Sequence, residues 1–212
     1  MAAPTREDFH KALVERHGKE LQEKLDSATV AVCGLGGLGS NIAVALARAG
    51  VGRLLLFDFD TVDMSNLNRQ QYFPDQLGQP KASALKETLL RISPYCDVQA
   101  ASIKLTEDNI PELLADAPFI CEAFDRADQK EMLAGCVLEK MPEKYLVAAS
   151  GMAGIGSSNT IVTRRITSHF YICGDGESDS AAGLGLVSAR VMVCAAHQAN
   201  MIIRLIAGEH EA

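Results

Sequence analysis

Apolar residues Phe9, Leu13, Val14, Leu21 and Leu25 recur at helical spacing among charged positions, which predicts an amphipathic leading helix over Glu7 to Leu25. The next apolar run, Thr29 to Cys33, ends in Gly34-Leu-Gly-Gly-Leu-Gly39, and the Ala- and Leu-rich segment Ser40 to Ala49 then stops at Gly50. That order reads as strand, tight turn and helix. Arg53 to Phe57 is again apolar, too short for a typical helix, and ends at Asp58, as suits a buried parallel strand. Together these segments predict a right-handed βαβ unit.

Downstream, a helical period runs from Lys81, just after Pro80, to Ile92. Val98 to Ile103, Asn109 to Ala115, Pro118 to Ala123, Ala127 to Lys140 and Tyr145 to Ala149 continue the alternation. The expected fold is α/β: a Rossmann-like, doubly wound, mostly parallel sheet with helices on both faces. The last third changes character. Thr160 to Arg165 and His169 to Ile172 are β-prone, a Gly/Ser/Asp loop follows from Gly174 to Gly185, and an Ala-rich helix closes at about Ile206, so a β-rich C-terminal extension is expected. Gly151-Met-Ala-Gly-Ile-Gly156 precedes β-prone sequence rather than a helix and reads as a structural turn.

Composition narrows the picture. At 212 residues and 48% hydrophobic, one domain can bury its own core without disulfides or metal, with residues 1–27 as leading helix, 28–150 as core and 151–212 as crossover strands, loop and closing helix. No apolar run approaches bilayer length and the N-terminal stretch lacks a signal-peptide core, so a cytoplasmic protein that does not engage membranes is expected. The six cysteines form no C-x-x-C pair, which indicates neither a zinc knuckle nor a disulfide framework. A net charge of −7 argues against an extended nucleic-acid surface.

Candidate chemistry starts at the glycine turn. Gly34, Gly36 and Gly39 fit G-x-G-x-x-G between a strand and a helix, where backbone N–H groups meet a phosphate at a helix N-terminus. Asp58 stands where a carboxylate meets ribose hydroxyls. To this point NAD and ATP are equal readings. The polar stretch Asp58 to Gln70 separates them: Arg69 supplies a planar cationic fork, Asn66 an amide donor, and Lys81, after Gly78-Gln-Pro80, a point charge, a set suited to a triphosphate.

These residues resemble the ThiF/MoeB/HesA branch of the ubiquitin-activating-enzyme superfamily, whose pattern is a glycine turn, then D-x-D-x-V-x-x-S-N-L-x-R-Q, then G-x-x-K or G-Q-P-K. The likeness is dense from Ala28 through Arg91 and looser from Phe119 to Ile206, with the closing loop and helix similar to the small ThiF type. It implies an ATP-dependent adenylyltransferase acting on the C-terminal carboxylate of a ubiquitin-like sulfur-carrier protein ending in Gly-Gly. It also implies roles: Gly34, Gly36, Gly37 and Gly39 around the nucleotide, with Gly37 against it; Asp58 on the ribose and Asp60 beside it; Asn66, Arg69 and Lys81 on the phosphates. Asp125, after an apolar strand, matches the family aspartate that holds magnesium, although a helix N-cap is the other reading of that position. A homodimer with an N-terminal arginine reaching the neighbour's ATP is implied too, and Arg16 is the candidate.

The chain departs from relatives that carry two zinc-binding C-x-x-C pairs, so no structural zinc is expected. It has no cysteine between Gly174 and Ser188 to accept an activated carrier, and Cys173 sits next to the acidic residues Asp175 and Glu177, which would raise its pKa. His197 reads as a core or dimer-interface residue. Competing readings are an NAD-dependent oxidoreductase, a tRNA-modifying dehydratase of the same superfamily, and a binding module without chemistry. A thiamine-pathway carrier is the first expectation, with molybdopterin and cysteine carriers behind it.

Overall fold

The computed structural model describes residues 4–179 and 183–212. Residues 180–182 of the expected Gly174–Gly185 loop lie outside the described residues. One seven-stranded sheet organises the chain in the order β3-β2-β1-β4-β5-β7-β6. Its strands are β1 (Thr29–Cys33), β2 (Arg53–Phe57), β3 (Asp97–Ala101), β4 (Phe119–Glu122), β5 (Tyr145–Ala149), β6 (Val162–Arg165) and β7 (Phe170–Gly174). All pairings are parallel except β6 with β7. The helices are α1 (Arg6–His17), α2 (Lys19–Ser27), α3 (Gly37–Ala49), α4 (Lys81–Ile92), α5 (Ile110–Leu113), α6 (Ala127–Lys140) and α7 (Ser188–Ala207).

The doubly wound expectation holds, and the strands explain it. Val30, Val32, Leu54 and Leu56 face a core shared with α3, α4 and α7, while Ala31, Cys33, Leu55 and Phe57 face a second core under α5 and α6. Alternate side chains leave opposite faces of a strand, so a strand apolar on both faces needs helices above and below. The chain winds β1 to β2 to β3 in one direction and then returns to place β4 on the other side of β1. That reversal opens a crevice beyond the carboxyl ends of β1 and β4.

Two boundaries differ from expectation. The leading helix is two helices, because Gly18 has φ +89° and ends α1, its N–H still bonded to the Val14 carbonyl. Segment 109–115 forms only the short α5, opened by Asn109, whose side chain accepts the Thr106 amide at 2.9 Å. The C-terminal extension is less a separate β unit than a continuation of the main sheet: β7 adds in parallel to β5, and β6 turns back to form the edge. Over it α7 packs against α3, burying Val191, Cys194, Ala195 and Ile202. No helix among the described residues is long and apolar enough to cross a membrane.

Candidate active site

The crevice is a cleft of about 390 Å³. Gly34, Gly36 and Gly37 line it from the turn after β1, and Asp58, Asp60, Asn66, Arg69 and Lys81 from the segment after β2. Asp125 lines it from the turn after β4. Gly34 has φ +90°, and a Cβ there would lie 2.8 Å from the Ala123 carbonyl oxygen, so the turn takes its path only with glycine. Gly36 caps α3 without a side-chain hydrogen bond, which leaves the first N–H groups of the helix for whatever occupies the cleft. Gly39 does not line the cleft. A Cβ there would fall 1.8 Å from the Gly34 carbonyl oxygen, so its part is close packing of α3 on the turn rather than contact with a ligand.

Asp58 is buried, and its carboxylate accepts the Leu35 amide at 2.6 Å and the Asp60 amide at 2.8 Å. Burial raises its pKa, and the two amides and Lys81 oppose the rise. A carboxylate has about four acceptor positions, so acceptor capacity remains for a hydroxyl in the cleft. Segment 60–62 is laced to 78–81: Lys81 N–H donates to the Asp60 carbonyl, Val62 N–H to Gln79, and Gly78 N–H to Val62. This brings Lys81 to the mouth of the cleft although it lies 23 residues beyond Asp58. Its side chain is 7% exposed, with Nζ 3.0 Å from the Asp60 carboxylate. A buried ammonium held by one exposed carboxylate has donors to spare for phosphate oxygens.

Asn66 closes a 3₁₀ turn, Met64–Asn66, capped reciprocally with Asp63. Arg69 follows, its guanidinium donating to the Ser65 carbonyl at 3.0 Å and the Asn68 side chain at 2.8 Å. Both side chains thus reach the cleft from a turn stiffened by its own hydrogen bonds. Asp125 is exposed and makes no hydrogen bond or ion pair among the described residues. It is not a helix cap: Arg126 occupies the N-cap of α6. An unpaired carboxylate facing a site that also gathers Arg69 and Lys81 suits a hard divalent cation, which takes oxygen ligands and pairs them with phosphate.

Sequence reasoning missed part of the wall. Lys104 and Arg126 line the cleft just past the carboxyl ends of β3 and β4, and the rule that ligands sit beyond those ends would have found them. Met152, Leu186 and Val191 close the opposite side from the C-terminal extension, for which no local signal existed. Missed as well was the ion pair of buried Glu122 with half-buried Lys130, which flanks the turn that carries Asp125. Glu122 has its side chain 1% exposed and receives Lys130 Nζ at 3.0 and 3.1 Å; burial raises its pKa, against Lys130 and the Phe124 and Ala149 backbone.

Cys173 is buried, and burial, not its acidic neighbours, pushes the thiol up to about 11, with a hydrogen bond shared with the Thr163 hydroxyl opposing. His197 is half-buried, its Nδ1 3.0 Å from Thr163 Oγ1, which ties α7 to β6. Arg16 is exposed on α1.

A doubly wound sheet with a glycine turn, an acid after β2 and cations at its switch point defines a nucleotide-binding α/β protein. Comparison with known proteins gives the family: residues 10–212 match the ThiF family, and the chain belongs to it. It is 37% identical over 156 residues to the molybdopterin-synthase adenylyltransferase of Salmonella typhimurium, a match that covers 73% of this chain and 61% of that protein. It is 33% identical over 193 residues to the Escherichia coli enzyme of the same name, covering 88% and 76%. The tRNA threonylcarbamoyladenosine dehydratase of Bacillus subtilis is 38% identical over 139 residues, covering 64% and 54%. The chain thus spans about three fifths of the Salmonella relative and about half of the Bacillus one. Among solved structures, the ATP complex of the Escherichia coli tRNA dehydratase superimposes with a TM-score of 0.84 over 98% of both chains at 22% identity, a likeness of fold.

Proposed function

We propose that the protein is an ATP-dependent adenylyltransferase that activates the C-terminal carboxylate of a ubiquitin-like sulfur-carrier protein ending in Gly-Gly. The observation that carries the reading is the convergence of Arg69, Lys81 and the unpaired Asp125 on a cleft floored by the glycine turn. Relatives named for adenylyl transfer support it, and an NAD-dependent oxidation leaves those three residues without a task.

In this account the glycine turn and the N-terminus of α3 receive the phosphates, and Asp58 receives the ribose. Asn66, Arg69 and Lys81 hold the triphosphate, Lys81 exchanging its Asp60 contact for phosphate oxygens. Asp125 holds Mg²⁺, which neutralises phosphate charge when bound. The carrier's carboxylate is ionised at neutral pH and is already a nucleophile, so no general base is needed. Its oxygen bonds to the α-phosphorus, the bond to the bridging oxygen breaks, and pyrophosphate leaves. Catalysis is positioning and charge neutralisation. The working unit is a cytoplasmic homodimer, with Arg16 the candidate to reach the neighbouring nucleotide.

The Bacillus relative favours a second reading, in which the activated carboxylate is the threonyl group of a modified tRNA nucleoside. The net charge of −7 counts against it, because tRNA binding draws on clustered Lys and Arg. Incubating the protein with ATP labelled at the α-phosphate and, in parallel, carriers of the thiamine, molybdopterin and cysteine pathways or threonylcarbamoyladenosine-containing tRNA separates the two. Label appearing on one carrier, seen by mass spectrometry as its AMP adduct, is the expected result. ATP cleavage only with tRNA overturns the carrier assignment.

A further inference from the structure

The ladder between β4 and β5 ends at Cys121 opposite Val147, and polar side chains occupy the place of the next rungs. Gln198 Nε2, from α7, donates to the Glu122 and Val147 carbonyls at 2.9 and 3.1 Å. Lys130 Nζ reaches both Glu122 carboxylate oxygens and, at 3.1 Å, the Ala149 carbonyl. Glu122 Oε1 accepts the Phe124 amide at 2.7 Å. Glu122 is the last residue of β4 and Lys130 lies in the first turn of α6, so their contact closes the turn 123–126 from both ends. Asp125 stands in that turn, and its own side chain makes no hydrogen bond or ion pair among the described residues, with only the charge of Arg126 beside it.

An ion pair whose carboxylate is buried and whose ammonium is half-buried is a poor choice for stability alone, because desolvation of the carboxylate offsets much of the attraction. What it supplies is direction, since its charge-assisted hydrogen bonds fix the angle at which strand, turn and helix meet. We propose that the Glu122–Lys130 pair is a positioning clamp that sets the Asp125 carboxylate for the divalent cation of the nucleotide site. The inference rests on the metal role given to Asp125 above. Outer residues that orient a metal ligand are worth about tenfold or more in metal affinity, although they never touch the ion.

Two measurements test the clamp. In the protein without nucleotide, hydrogen–deuterium exchange of the 119–130 segment should be about tenfold faster in Glu122→Gln than in wild type. In titrations with a fluorescent ATP analogue, Glu122→Gln should raise the Mg²⁺ concentration for half-saturation about tenfold and leave metal-free binding unchanged. Asp125→Ala should raise the Mg²⁺ requirement to the same extent, and the two substitutions together no more than either. Glu122→Gln with Lys130→Met leaves no unpaired buried charge, so this double variant should regain thermal stability without regaining the wild-type Mg²⁺ requirement. A merely structural pair predicts that the wild-type Mg²⁺ requirement returns together with the stability. Unchanged exchange, additive effects with Asp125→Ala, or a normal Mg²⁺ requirement in the stable double variant overturns the proposal. If wild-type binding ignores Mg²⁺, the metal role of Asp125 falls, and the exchange result alone decides whether the pair positions the turn.

Discussion

Asp58 accepts the Leu35 amide at 2.6 Å, so the residue that follows β2 holds the glycine turn that follows β1. Removing this carboxylate costs structure as well as any ribose contact. Asp58→Ala should lower stability by about 1–3 kcal/mol, the cost of a buried amide left unpaired, and weaken nucleotide binding together with it. Arg69→Ala should leave the melting temperature near wild type, since its bonds lie on an exposed turn, and still weaken ATP binding about tenfold to a hundredfold. Differential scanning calorimetry and nucleotide titration of both variants check the separation.

Two glycines of the same turn should behave differently. At Gly39 a Cβ meets the Gly34 carbonyl oxygen at 1.8 Å, and the backbone must shift. At Gly37 the nearest atom is Val191 Cγ1 at 3.1 Å, on the wall of the cleft. Gly39→Ala should therefore lose about 2–3 kcal/mol of stability. Gly37→Ala should fold with a smaller loss and reduce nucleotide affinity. Equal denaturation midpoints for the two variants would count against this assignment.

Cys173 should be silent. A buried thiol pushed up to about 11 is almost entirely protonated at pH 8 and out of reach of reagents. Native protein should resist alkylation at this position, and Cys173→Ala should adenylate its carrier at the wild-type rate. A covalent carrier adduct at Cys173 would contradict this and return the residue to the chemistry.

The acid limb of stability has an identified contributor. Burial raises the pKa of Asp175, but the Ser178 and Glu177 amides, the Ser178 hydroxyl and Arg190 outweigh it and hold the carboxylate well below the usual range. In the unfolded chain the group titrates near about 3.9. The folded form stays ionised to lower pH, so the stabilisation is complete above about pH 5 and is lost as pH falls through the unfolded value toward the folded one. Asp175→Asn should flatten the melting temperature between about pH 5 and pH 2 relative to wild type.

Much of this architecture is legible in local pattern. β2 reads as a run of apolar residues closed by Asp58 because both its faces are covered, and α4 reads cleanly because Pro80 opens it. Gly18 escaped notice because a glycine among charged residues leaves the helical period intact; its positive φ is a matter of backbone geometry, not of side-chain pattern. The edge position of β6 depends on which strand β7 joins, and sequence spacing says nothing of that. At the cleft, Asp58, Arg69, Lys81 and Asp125 stood out by type and spacing, whereas Lys104 and Arg126 are marked only by their place beyond the strand ends, and Met152, Leu186 and Val191 are ordinary apolar residues that line it from the C-terminal extension. Glu122 and Lys130 carry no local signal, because their pairing and the burial of Glu122 arise only where the end of β4 meets α6.

The most direct test of adenylation is exchange of labelled pyrophosphate into ATP, with Mg²⁺ and a Gly-Gly-ending carrier present. The account predicts carrier-dependent exchange that falls at least about a hundredfold in Arg69→Ala and in Asp125→Ala, both still folded. Exchange that proceeds without any carrier, or that survives both substitutions, would contradict it.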